Sequence, residues 1–75
     1  MDLNGVREAV HARPFRPFTM RLADGRALRV PHPDFVAIGS RRVVVLGERD
    51  STSFVEPLLI VSLDFDEPQL ASAGS

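Results

Sequence analysis

Five of the six prolines, at positions 14, 17, 31, 33 and 57, cut most of this chain into runs too short for any long element. Proline fixes φ and lacks a main-chain N–H, so it stops helices and stays out of central sheet ladders. The longest run between them, residues 34–56, is itself interrupted by "GSRR" and by the polar stretch "GERDSTS". A chain punctuated this way is expected to fold as short strands around one small core.

Before the first proline the sequence predicts a helix. Asp2 is a good N-cap, and Leu3, Val6 and Val10 follow at helical spacing with Ala9 beside them. Gly5 weakens this helix by about 1 kcal/mol relative to alanine. Pro14 biases Arg13 away from the α region, so the helix should end near Ala12. At barely three turns it is too short to stand alone in water and must dock its Leu3/Val6/Val10 stripe.

Pro14 and Pro17 then hold the chain extended, while Phe15 and Phe18 supply apolar anchors. From Phe18 the period becomes two, with Phe18, Met20 and Leu22 on one face and Thr19, Arg21 and Ala23 on the other. Asp24-Gly25 marks a hairpin. A two-residue loop would set Arg21 opposite Leu28 and mix polar with apolar groups on each face. A three-residue loop, Ala23-Asp24-Gly25, sets Met20 opposite Leu28 and Phe18 opposite Val30, with Arg21 facing Ala27 and Thr19 facing Arg29. The expectation is therefore a type I turn with Gly25 left-handed in a G1 bulge, and an arginine-rich face toward solvent.

"PHPDF" (31–35) should break the strand, "FVAI" (35–38) and "VVVL" (43–46) read as strands, and "GERDSTS" (47–53) as a loop. "FVEPLLIVSLDF" (54–65) should split near Pro57 into a short strand, a tight turn and a last strand. In that last strand Val61, Leu63 and Phe65 are expected to face in, and Ser62 and Asp64 out. Phe18, Phe54 and Phe65 belong to the core pattern, and core burial is the better reading of Phe15 and Phe35. Residues 1–66 form one domain and 67–75 a flexible tail. One helix and about five strands without crossover helices predict a mainly β fold, a small, strongly bent antiparallel five-stranded barrel with a short N-terminal α-helix.

A chain of 75 residues buries only roughly 60% of its unfolded surface, which is marginal unless it is stapled or oligomerised. There is no cysteine, which excludes disulfides, thiolate metal sites and a cysteine nucleophile and suits a reducing cytoplasm. No apolar run approaches the roughly 20 residues that span a bilayer. "MDLNGVREAV" has no apolar signal region, so neither a signal peptide nor membrane association is expected. Net charge is −1, which argues against nucleic-acid binding by bulk charge. Residues 1–42 nonetheless hold eight arginines against four acids, and residues 43–75 one arginine against six acids. Such asymmetry can mark a basic face, but strands distant in sequence interleave in a small barrel and can cancel it. All nine cations are arginine; GC-rich codon usage accounts for that, with bidentate phosphate contact as the alternative.

The string "RPFRPFTMRLADGRALRVPHPDFVAI" resembles a group of short bacterial proteins of no settled activity. These show a short helix, a Pro-Phe-x-Pro-Phe element, an Asp-Gly hairpin, a strand ending in Val, and His-Pro. The likeness covers about residues 7 to 65. A weaker likeness is to the Sm-like small barrels, which share a short N-terminal helix, five bent strands and a first hairpin similar to "LADG". No uridine-binding motif aligns to "PHPDFVAIGS", and "EPLLIVSL" replaces the Gly-centred run that enters the last Sm-like strand. The resemblance implies an Sm-like or Src-homology-like fold more than RNA binding.

His32, beside Pro31, Pro33 and Asp34, could bind metal or move protons, but only His11 offers a second imidazole and a metal site needs three or four ligands. Ser40, Ser51, Thr52 and Ser53 sit in turns without a nucleophile elbow or a base, and no Gly-rich phosphate loop occurs. Asp64 and Asp66 share one side of a strand end, where solvation explains them. The sequence thus predicts no enzyme, no cofactor and no metal. Arg16, Arg21, Arg26 and Arg29, with His32, are the candidate contacts for a partner or RNA, and Arg41 and Arg42 could extend the basic strip. Single-strand readers add exposed aromatics for stacking, and this chain has neither tyrosine nor tryptophan. The strongest expectation is a binding or assembly module that pairs with further copies of itself through sheet edges or through the surplus apolar faces of "VVVL" and "LLIV". The alternatives are capture of another protein, or an RNA-binding Sm-like ring.

Overall fold

A computed structural model of the chain describes residues 1–47, 49 and 51–66. Helix α1 spans Leu3–His11, and its first turn is capped as Asp2 predicts: the carboxylate accepts the Asn4 N–H at 3.0 Å. Ala12 leaves the helix with extended backbone. Val6, Ala9 and Val10 are buried, so the stripe docks. The N-terminal ammonium donates to the carbonyls of Pro57 (2.8 Å) and Ile60 (3.2 Å), tying the start of α1 to the far end of the chain.

Six strands follow: β1 Phe18–Leu22, β2 Ala27–Val30, β3 Val36–Ile38, β4 Val43–Leu46, β5 Thr52–Val55 and β6 Ile60–Phe65. One sheet has the order β2-β1-β6 and the other β3-β4-β5, with every neighbouring pair antiparallel. Phe18, Met20, Leu22, Val30 and Ile60 from the first sheet, Val43, Val45 and Val55 from the second, and Val6, Ala9 and Val10 from α1 form one core. Leu3, Phe15, Leu28, Phe35, Val36, Ile38 and Leu63 pack around it partly buried. Fully burying one such aliphatic or aromatic side chain stabilises the fold by about 1.5–3 kcal/mol.

The first hairpin has the expected register, Phe18↔Val30, Thr19↔Arg29, Met20↔Leu28 and Arg21↔Ala27. The Gly25 N–H donates to the Leu22 carbonyl at 3.0 Å, the Leu22 N–H donates to the Arg26 carbonyl at 2.9 Å, and Gly25 has φ +97°. That backbone suits glycine, which has no Cβ to clash. The splits at the prolines also occur, as 3-10 turns at Pro33–Phe35 and Pro57–Leu59.

The five-stranded barrel does not form. Pro31 and Pro33 interrupt the chain between β2 and β3, so the ladder of the first sheet does not run on into the second, and the Pro57–Leu59 turn separates β5 from β6. Two three-stranded sheets face a common core, neither closed.

Three smaller expectations change. Thr52 and Ser53, read as loop, belong to β5, where Val45 pairs with Ser53 and Leu46 with Thr52. Phe54, assigned to the core, is 65% exposed. Only one of the neighbours Phe54 and Val55 can point inward from a strand, and Val55, opposite Val43, takes that place. In β6, Leu63 lies opposite Met20 and is partly buried, whereas Phe65, assigned to the core, lies opposite Phe18 at the strand's end and is 39% exposed; the register shifts between Arg21 and Leu22, so that Ile60 lies opposite Leu22. This bulge buries Ile60 and leaves Val61 64% exposed. The flexible tail (67–75) lies outside the described residues.

Candidate assembly surfaces

Two of the arginines singled out in the sequence, Arg21 and Arg29, meet acids from the opposite half of the chain. Because β1 pairs with β6, Thr19 lies opposite Asp64 and Arg21 opposite Ser62. Arg21 Nε donates to Asp64 Oδ2, and Ser62 Oγ donates to Asp64 Oδ1 at 2.9 Å. Arg29, on β2, reaches across β1 to Asp66 with a two-pronged contact, its Nη1 lying 2.7 Å from Oδ1. Arg26 folds onto Asp24 of its own turn at 2.9 Å. Three cations, Arg21, Arg26 and Arg29, thus face three acids. Arg16 lies over the Phe65 ring, 5.0 Å from its centroid, and donates to the Asp66 carbonyl at 3.4 Å.

These contacts set the titration of the acids. The Arg21 hydrogen bond, helped by Ser62, holds Asp64 below its ordinary 3.8. The Arg29 hydrogen bond does the same for Asp66, and the same bond raises Arg29. The Arg26 main-chain N–H, with its side chain, lowers Asp24. Asp64 and Asp66, each about half exposed, thus bridge β6 to the first hairpin across a solvated face.

His32 precedes the Pro33–Phe35 turn, makes no side-chain capping bond there, and sits 5.9 Å from the Phe35 ring, centroid to centroid. His11 lines a different groove, with Arg13, Phe15 and Pro33. Among the described residues no three His, Asp or Glu side chains gather closely enough to hold a metal ion. No described helix is long and apolar enough to cross a membrane.

Several exposed surfaces among the described residues are apolar. Across the second sheet, Ala37, Val44 and Phe54 form one outward row, with Leu46 next to it. Leu58, at the tip of the second 3-10 turn, is 91% exposed. A groove of about 370 Å³ runs between β2 and the β4–β5 hairpin over Leu28, Pro31, Phe35, Val45 and Leu46. A second, of about 420 Å³, runs between α1 and β6 over Met1, Ala9, Leu63 and Phe65, with Glu8 and Arg16 also on its walls.

Main-chain hydrogen bonding identifies which edge groups are open. In an antiparallel pair, residues alternate between bonding their neighbour strand and pointing away. The Asp66 N–H donates to the Pro17 carbonyl at 3.0 Å, so residues 66, 64 and 62 of β6 turn toward β1. Leu63 and Phe65 consequently aim their N–H and C=O outward along the free edge. The alternating apolar residues of "LLIVSLDF" gave a sequence signal for this strand, but its position at an edge follows only from the pairing.

The chain matches no family model, no curated protein and no solved structure.

Proposed function

We propose that this chain is a non-enzymatic assembly module of the cytoplasm that associates with further copies of itself. The observation that carries the reading is the failure of the two sheets to close. Among the described residues each three-stranded sheet has two edge strands with no further strand beside them, and unpaired edges are templates for another strand. The pairing of Arg21, Arg26 and Arg29 with acids supports protein assembly over the alternative of an RNA-binding Sm-like ring, since phosphate binding draws on unpaired cations. Light scattering on the eluting full-length chain tests the reading. The expected mass is a multiple of 8.3 kDa that falls on dilution; 8.3 kDa at every concentration overturns it.

A further inference from the structure

We infer that Asn4 is a site of spontaneous covalent modification, losing its side-chain amide to attack by the Gly5 main-chain nitrogen when the first turn of α1 opens.

Asn4 is the only asparagine of the chain, and glycine follows it. Glycine has no Cβ, so its main-chain nitrogen is unshielded from the side-chain carbonyl just before it. In the reaction the Gly5 nitrogen gives up its proton and bonds to Asn4 Cγ, the Cγ–Nδ2 bond breaks, and ammonia leaves. Water then opens the cyclic imide at one carbonyl or the other. One product carries aspartate at position 4. The other is isoaspartate, in which the main chain runs through the side-chain Cβ and Cγ. The step calls for water alone.

Folding holds this reaction back. Asn4 is exposed, but it lies inside α1. The Gly5 N–H donates to the Asp2 carbonyl at 3.1 Å, and the Asn4 N–H donates to Asp2 Oδ1 at 3.0 Å. These bonds keep Asn4 in helical backbone, which turns the Gly5 nitrogen out of line with Asn4 Cγ. Attack therefore waits on opening of the first turn, and chain ends open at far lower cost than the whole fold. Gly5 lowers that cost further, since glycine weakens a helix. The packing does not require it: a Cβ there would meet nothing nearer than Met1 Sδ at 3.7 Å.

Asp24-Gly25 could form the same imide by losing water, but its groups are held. The Asp24 carboxylate accepts the Arg26 N–H at 3.0 Å and Arg26 Nε at 2.9 Å, and the Gly25 N–H donates to the Leu22 carbonyl at 3.0 Å. An ionised carboxylate offers no leaving group, so Asn4 is the reactive position. Isoaspartate lengthens the main chain between residues 4 and 5, so the Asp2–Gly5 bond cannot re-form in register. The buried Val6, Ala9 and Val10 then lose the turn that seats them.

Ageing the full chain in mildly alkaline buffer, with amide loss at Asn4 read by peptide mass spectrometry, tests this. Loss should be slow in buffer and fast in urea. Asp2→Ala removes the cap and should raise the rate in buffer roughly 2- to 30-fold, while Asp2→Asn, which keeps a capping side chain, should bring it back down. Gly5→Ala should suppress the reaction in urea and in buffer alike. The separated isoaspartyl fraction should unfold at lower urea than fresh protein. Retention of the Asn4 amide in urea would overturn the site. Equal rates in buffer and urea, or no acceleration in Asp2→Ala, would overturn its control by α1, and an unchanged unfolding midpoint would overturn the consequence for the fold.

Discussion

Phe18 and Phe54 are the same residue type on two strands of one small protein, and truncating each to alanine separates core from surface. Phe18 is fully buried, stands between the Phe15 and Phe65 rings at centroid distances of 6.0 and 5.5 Å, and pairs with both Val30 and Phe65 across β1. Removing a buried phenylalanine costs about 3–5 kcal/mol, from lost transfer free energy and the cavity left behind. A domain of this size has about 3–10 kcal/mol in total, so Phe18→Ala removes about 30% of the stability at the least and can unfold the chain. Phe54 is 65% exposed on the outer face of the second sheet, and substitutions at such sites stay within about 0.5 kcal/mol. The chain lacks tryptophan and tyrosine, so urea unfolding is followed by far-ultraviolet circular dichroism at one fixed protein concentration. With a denaturant slope of about 1 kcal/mol/M, Phe18→Ala should lower the midpoint by about 3 M or abolish the transition, and Phe54→Ala should shift it by under about 0.5 M. Equal shifts for the two variants, or a larger one for Phe54, would refute the facing of β5 and with it the common core.

Gly25→Ala should destabilise the first hairpin by about 1 kcal/mol, because φ +97° strains any residue with a Cβ even though the space around it is open; the same urea transition measures it. Asp2→Ala removes the cap on α1 and should cost about 0.5–2 kcal/mol, with Asp2→Asn restoring most of the loss. The acids Asp24, Asp64 and Asp66 titrate below their ordinary 3.8, so their folded-state contribution is complete above that value. It disappears as pH falls through their lower folded values. Thermal unfolding should therefore be flat in pH near neutrality and drop only below about pH 4. In Asp64→Asn/Asp66→Asn that acid drop should shrink; a drop of unchanged size would show that other groups cause it.

Local elements were legible in the sequence because their signals lie within a few residues. Asp2 and the Leu3/Val6/Val10 spacing placed α1, and Asp24-Gly25 with the facing rule placed every pair of the first hairpin. Pro57 placed the break before β6. What depended on long-range pairing was hidden. Two sheets or one barrel is decided by whether β2 runs on into β3, and local periodicity does not report that. The bulge opposite Leu22 inverts Val61 and Ile60 relative to strict alternation, through the closeness of β1 and β6 rather than any turn residue. Phe54 and Val55 are both apolar, and only the pairing with β4 tells which one faces in. The candidate contacts were legible as arginines but not as ion pairs: the partners of Arg21 and Arg29 are 43 and 37 residues away along the chain.

The central claim is that further copies of the chain pair with the open edges of the two sheets. Amide hydrogen exchange, read residue by residue at low and high protein concentration, tests it most directly. Outward N–H groups on at least one edge strand, such as Leu63 and Phe65 on β6 or Ala27 and Arg29 on β2, should exchange rapidly in dilute solution and become protected as concentration rises. Outward N–H groups on every edge strand exchanging equally fast at every concentration would contradict the account.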